Sequence, residues 1–163
     1  MNEHPLLMQG PLVRATLAGR KTQTRRPIIP QPDDDIVAVR YDAIADLWLG
    51  NTPEDNDLGY TSSWAERCPL GKAGDRLWVR ETWTAAMHEP KGPDDCLYRA
   101  DANRGVEDLA EAKWTPSIHM PRWACRLVLP LVSVRVERVQ DITEDDARAE
   151  GLRRTENGWT DGA

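Results

Sequence analysis

The run from Trp123 to Val139 constrains the fold more than any other stretch of the chain. Leu127, Leu129, Leu131 and the residues from Val132 to Val136 are aliphatic and partly β-branched, which suits a pleated, half-buried surface. This is the strongest strand signal in the sequence. Pro130 has no N–H to give a ladder, so it marks a bulge or an edge position. A strand of this length needs partners, and shorter candidates lie at 4–9, 36–41, 76–83 and 96–99. Within 76–83, Leu77, Val79 and Glu81 share one face, while Trp78, Arg80 and Thr82 share the other. Glu81 interrupts an otherwise apolar face. By the same parity Trp78 and Trp83 fall on opposite sides, so at most one of them belongs in the core.

Helix signals are few. Gly10 can cap, Pro11 suits the first helical position, and Gly19 suits the position after the last turn. Leu12, Val13, Ala15 and Leu17 supply the apolar side of that helix. Thr143 opens a second helix, with Asp146 three residues on completing a near-capping box, and Gly151 ends it. A short helix is expected within 101–113, and 114–122 is irregular. Residues 30–72 carry prolines, glycines and acidic clusters and form a long excursion with one strand near 36–41. From 153 to 163 the sequence is polar, with neither strand nor helix expected. Short strands with few helices predict one β-rich α+β domain over 1–152, a mixed or antiparallel barrel, followed by a polar tail.

Composition excludes several classes. Of 163 residues, 40% are hydrophobic and 29% charged, a globular balance. No apolar run is long enough to span a bilayer and no signal peptide opens the chain, so a cytoplasmic location without membrane contact is expected. The net charge of −6 excludes a protein that coats nucleic acid by its overall field, so such contact needs a local basic patch. Cys68, Cys96 and Cys125 are scattered and odd in number, which argues against a disulfide framework. Neither they nor His88 and His119 have zinc-ligand spacing, and neither a P-loop nor a GxGxxG appears. No metal and no cofactor are therefore expected. Seven tryptophans and no phenylalanine leave open whether the indoles fill a core or stack on bases.

Three groups of residues are candidates for chemistry. Lys21 and Thr24 place an amine near a hydroxyl, the base-and-nucleophile logic of Ser–Lys hydrolases. Spacing alone is better served by a solvated basic turn. Glu150 sits at the unfavourable end of a helix dipole, which a cation such as Lys21 would offset. Arg25, Arg26, Arg80 and Arg122, interleaved with Trp83 and Trp123, combine phosphate-binding guanidiniums with rings that stack. Ordinary surface pairing is the competing explanation. His119, between apolar neighbours, reads as structural.

These stretches together resemble the ASCH domains of the PUA-like superfamily. Leu17-Ala18-Gly19-Arg20-Lys21-Thr22-Gln23-Thr24-Arg25-Arg26 is similar to the family's N-terminal motif. Gly74 to Trp83 is similar to its first core strand. Ser117 to Ala124, with the aliphatic run and Ile142 to Ala147, resembles a phage-associated subgroup. The likeness covers about half the chain. It implies a PUA-like β-barrel with a cleft for RNA or a modified nucleoside. One branch hydrolyses the acetyl amide of N(4)-acetylcytidine. Carried over, Lys21 activates a hydroxyl, Thr24 attacks, and Glu150 orients or transfers a proton. Arg20, Arg25, Arg26, Glu81, Trp83, Arg122 and Trp123 are the implied substrate or RNA contacts. A non-catalytic RNA-binding module and a ribonuclease are the alternatives, and a decayed accessory protein is a third.

Two departures from the family stand out. The compact amidohydrolases lack the insertion at 30–72. The family also continues past the Glu150 helix into another helix and a closing hydrophobic strand, where this sequence is polar. A barrel without that strand exposes an edge, which is expected to be covered by the insertion, paired by a partner, or left open to self-association.

Overall fold

The computed structural model describes residues 1–53, 64–102, 112–156 and 158–160. The N-terminal half contains β1 (Glu3–Leu7), α1 (Gly10–Leu17), β2 (Ala38–Asp42), β3 (Leu47–Asn51), β4 (Ala65–Glu66) and β5 (Arg76–Arg80). It is followed by β6 (Trp83–Ala85), β7 (Cys96–Tyr98), β8 (Val128–Pro130), α2 (Glu144–Ala149), β9 (Arg153–Thr155) and β10 (Gly158–Thr160). The protein is α+β, mostly strand, with few helices.

The central sheet has the order β1-β5-β8 and is mixed. β1 runs parallel to β5, with Leu6 opposite Val79, and β8 runs antiparallel to β5, with Leu129 opposite Leu77. Alternation sets its faces. Leu6, Met8, Leu77 and Val79 turn inward onto Val13 of α1 and Ala100 to make the main core. A second cluster gathers Trp83, Cys96, Tyr98, Met120, Ala124 and Cys125, with Trp78 packed partly against it. Of the two tryptophans placed on opposite faces, only Trp83 is fully buried. α1 starts with Pro11 in its first turn and stops at Gly19, whose φ of +70° an L side chain adopts only at a cost.

Several expectations are corrected. The segment 76–83 is two strands, β5 and β6, broken at Glu81 and Thr82. The run 123–139 is not one strand. Arg122–Ala124 is a 3-10 turn, β8 is three residues long, and 131–138 carry no regular structure. Pro130 ends the ladder, and only Leu131 continues it, through Leu131 N to Asp75 O and Gly74 N to Leu131 O. Beyond that point no neighbouring strand exists among the described residues, and Val132 is 80% exposed. The excursion at 30–72 is richer than one strand: β2, β3 and β4 form an antiparallel sheet of their own. The C-terminal tail is not structureless, because β9 and β10 pair as a hairpin whose Trp159 lies near the Arg148 guanidinium. Most of the helix expected at 101–113 lies outside the described residues. The pairs β6-β7 and β9-β10 stand apart from both larger sheets, and no sheet closes into a barrel among the described residues. Among the described residues no helix is long and apolar enough to cross a membrane.

Candidate functional site

A polar cluster lies where the end of α1 meets the end of α2. α2 begins in a full capping box. Thr143 Oγ1 accepts from Asp146 N at 3.1 Å, while Asp146 Oδ2 accepts from Thr143 N at 3.0 Å and from Thr143 Oγ1 at 2.7 Å. These bonds, with Gln23 and Arg25 next, hold the Asp146 carboxyl well below the usual carboxylate range. α2 ends at Glu150, and Gly151 turns the chain at φ +90°. A Cβ on Gly151 would lie 3.0 Å from Ala15 Cβ and 3.1 Å from Lys21 Cβ, so glycine lets the two segments close on each other.

The loop after α1 is strapped to both helix ends. Arg20 N and Lys21 N donate to Ala15 O, while Thr22 N and Gln23 N donate to Ala149 O at 2.8 and 3.0 Å. These bonds satisfy carbonyls that a helix C-terminus leaves without partners. They also bury the Lys21 side chain to 3% exposure. Its Nζ donates to Glu150 Oε2 at 2.8 Å, to Glu150 O at 2.9 Å and to Gln23 O at 2.7 Å. All three hydrogens of an ammonium are then engaged. The cation sits on the negative end of α2 and offsets both the dipole and the Glu150 charge.

Arg25 completes the cluster. Its Nη2 meets Glu137 Oε2 at 3.0 Å and Asp146 Oδ1 at 3.1 Å, and its Nη1 lies 3.8 Å from Glu150 Oε1. That nitrogen and that oxygen are both buried without a hydrogen-bond partner. Thr24 is half-buried in the same loop, and its hydroxyl makes no hydrogen bond among the described residues. The structure therefore brings Lys21, Glu150 and Arg25 together. It does not bond Thr24 to any of them. The Arg20 side chain makes no hydrogen bond or ion pair among the described residues.

The remaining sequence candidates fall elsewhere. Arg26 Nη2 donates to Leu7 O at 2.9 Å, at the end of β1. Arg80 donates to Ile118 O and lies over the Trp78 ring at 5.3 Å. Arg122 grips Glu3 through both ends of its fork, at 2.8 and 3.1 Å. Trp83 and Trp123 meet edge to face at 5.3 Å, with Trp83 buried and Trp123 exposed. His119 is exposed rather than packed. The three cysteines are free, and no group of three or more His, Cys, Asp or Glu is placed to hold a metal among the described residues.

Glu81 is 1% exposed, and Arg126 holds both its oxygens, Nε to Oε1 at 2.9 Å and Nη2 to Oε2 at 3.0 Å. Burial raises the Glu81 pKa, and Arg126 opposes that rise. Arg126 also bonds Asp101 and stacks over the Tyr98 ring at 3.9 Å. So Glu81 braces the core instead of facing a ligand. Arg126 was missed in the sequence, although a signal existed: it is the one charge between residues 123 and 134, as Glu81 is the one break in its own apolar face.

Comparison with protein-family models, with curated proteins and with solved structures found no match to this chain.

Proposed function

We propose that the protein is an ASCH-type, PUA-like domain that binds RNA or a modified nucleoside, and that its Lys21–Glu150 site hydrolyses the acetyl amide of N(4)-acetylcytidine. One observation carries this reading. Lys21 and Glu150, 129 positions apart, are in direct contact, and Thr24 lies three residues beyond Lys21 in the same strapped loop. In this reading the β1-β5-β8 sheet is the surviving part of the PUA-like barrel.

The chemistry follows from the residues. Thr24 Oγ adds to the acetyl carbonyl carbon and gives up its proton to the Lys21–Glu150 pair, with Lys21 passing a proton on to Glu150. The carbon–N4 bond then breaks. The departing nitrogen takes up a proton from Lys21 and leaves as the amine of cytidine. Water hydrolyses the acetyl ester on Thr24, releasing acetate and restoring the hydroxyl. Lys21 must first surrender one of its three hydrogen bonds, and substrate binding is the event that supplies the exchange.

A second reading, an RNA-binding module without catalysis, is favoured by that same saturation of Lys21. Arg26 and Arg80 have no carboxylate partner among the described residues, whereas Arg25 and Arg122 are both spent on acidic groups. The basic patch reduces to Arg26, at the end of β1, and Arg80, which lies over the Trp78 ring.

One experiment separates the two. Acetate release from N(4)-acetylcytidine is measured for wild type and Thr24→Ala, alongside RNA binding against salt. Release by wild type and loss in Thr24→Ala supports the hydrolase. No release from wild type rejects it. In that case RNA binding that survives Thr24→Ala supports the module, with Arg26→Ala lowering the slope of log K against log salt by about 0.7. Cleavage of single-stranded RNA without added metal would reject both in favour of a ribonuclease.

A further inference from the structure

Apart from the Lys21–Glu150 site, the described residues enclose a cleft of about 390 Å³ between the insertion sheet and the start of the central sheet. That volume falls in the range of about 300–1,000 Å³ typical of small-molecule sites. One wall belongs to the β2–β3 hairpin. Tyr41 and Trp48 are direct cross-strand partners there, with ring centroids 5.3 Å apart and planes tilted by 45°. The other wall carries His4 of β1 and Asp75, and residues 132–134 line a third side.

The polar groups of the cleft divide into committed and free. Asp46 accepts from Tyr41 Oη at 2.5 Å and pairs with Lys72 at 3.2 Å. Asp75, 5% exposed, accepts from Asn2 N at 2.7 Å and Lys72 N at 3.3 Å and lies 3.4 Å from His4 Nε2. Both carboxylates are therefore answered by the protein itself. Arg67 lines the same cleft, and its guanidinium makes no hydrogen bond or ion pair among the described residues. What remains for a ligand is a pair of aromatic rings and the hydrogen-bonding fork of Arg67, whose charge acts on Asp46 across the cleft without a direct bond to it. Rings offer a face to any planar heterocycle, and a guanidinium fork matches the oxygens of a phosphate.

We propose that this cleft binds a phosphorylated nucleoside, with the base stacked on Trp48 and the phosphate held by Arg67. The site is distinct from Lys21 and Glu150, and it gives the insertion a task of its own. The same chemistry is carried by a free mononucleotide and by one nucleotide of an RNA strand.

Titration calorimetry of the full chain tests the assignment with the four ribonucleoside monophosphates, the matching nucleosides and a short single-stranded RNA. At least one monophosphate is expected to bind saturably at one site. Arg67 is exposed, so Arg67→Ala leaves the fold intact. This variant weakens the monophosphate by about tenfold, the worth of one charge-assisted hydrogen bond, while its nucleoside is unaffected. Trp48→Leu weakens nucleoside and nucleotide alike. RNA that binds more tightly than any monophosphate, with the same sensitivity to Arg67→Ala, identifies the strand as the source; equal affinity identifies the free nucleotide. Absence of saturable binding by every ligand overturns the assignment, as does binding that neither variant alters. Acetate release enters neither outcome, so this site and the Lys21 reading fail separately.

Discussion

Lys21 shows what a single buried charge asks of its surroundings. Its Nζ is removed from water and given two carbonyls and one carboxylate in exchange. Removing one partner of such a pair costs about 3–5 kcal/mol, because the other charge stays buried and unanswered. Glu150→Ala is therefore expected to lower unfolding stability by about 3 kcal/mol in urea titration, the low end because Glu150 keeps 18% of its side-chain surface exposed. The double change Lys21→Met, Glu150→Leu is expected to lie closer to wild type than Glu150→Ala alone. A strictly additive cycle would refute the coupling. This contact was legible in the sequence as a carboxylate at a helix C-terminus calling for a cation. The Arg122–Glu3 pair was not, because nothing local signals a partner 119 positions away. Arg25 illustrates the same limit: a basic run announces charge, but only the fold shows that this arginine is spent on Glu137 and Asp146.

At the scale of elements, α2 owes its start to one threonine. Thr143→Ala removes the hydroxyl half of the capping box, leaving only the backbone N–H of residue 143 on Asp146, and is expected to cost about 1 kcal/mol, measured by thermal or denaturant unfolding. An unchanged midpoint would deny the cap its role. The lowered pKa of Asp146 adds a pH dependence whose sign is fixed. The folded state binds the proton less readily than the unfolded chain, so this stabilisation is complete above the ordinary carboxylate value of about 3.9 and is lost as pH falls below it. Unfolding midpoints taken between pH 7 and 3 are expected to fall toward acid, and to fall less in Asp146→Asn. Both helices were readable because caps are local chemistry: Pro11 and Gly19 frame one, Thr143 and Gly151 the other. The aliphatic run past Pro130 was misread for the opposite reason. β-branched side chains report a fit to a pleated surface, but a strand exists only where a neighbour supplies hydrogen bonds. The β9–β10 hairpin is too short and polar to announce itself, and two of its residues, Trp159 against Arg148 and Arg154 on Glu144, reach back to α2.

Across the whole molecule, two clusters share the work of the core, and Met120 lies at the centre of the second with 1% exposure. Its sulfur also accepts from Glu81 N, which ties the apolar cluster to the Glu81–Arg126 brace. Met120→Ala is expected to cost about 2–5 kcal/mol by chemical denaturation. β8 closes one side of the central sheet as an edge, and Val132 stands exposed just beyond it. An uncovered edge favours pairing between copies. Sedimentation is expected to show concentration-dependent association that Val132→Lys suppresses; a monomer at every concentration would reject it. The strand-rich α+β class was visible in the sequence because alternation over 76–80 and the aliphatic residues at 127–129 carry it. Separation into four small sheets among the described residues was not, since sheet membership is decided by long-range pairing.

The strap between Lys21 and the last turn of α2 has a further consequence during synthesis. Its two ends lie 129 positions apart, and at about 5–20 residues per second the ribosome needs on the order of ten seconds to deliver the second after the first. Throughout that interval the nascent chain carries the amine without the carboxylate. The Lys21–Glu150 contact thus forms only once α2 has been made, and a chain released before Glu150 lacks it altogether.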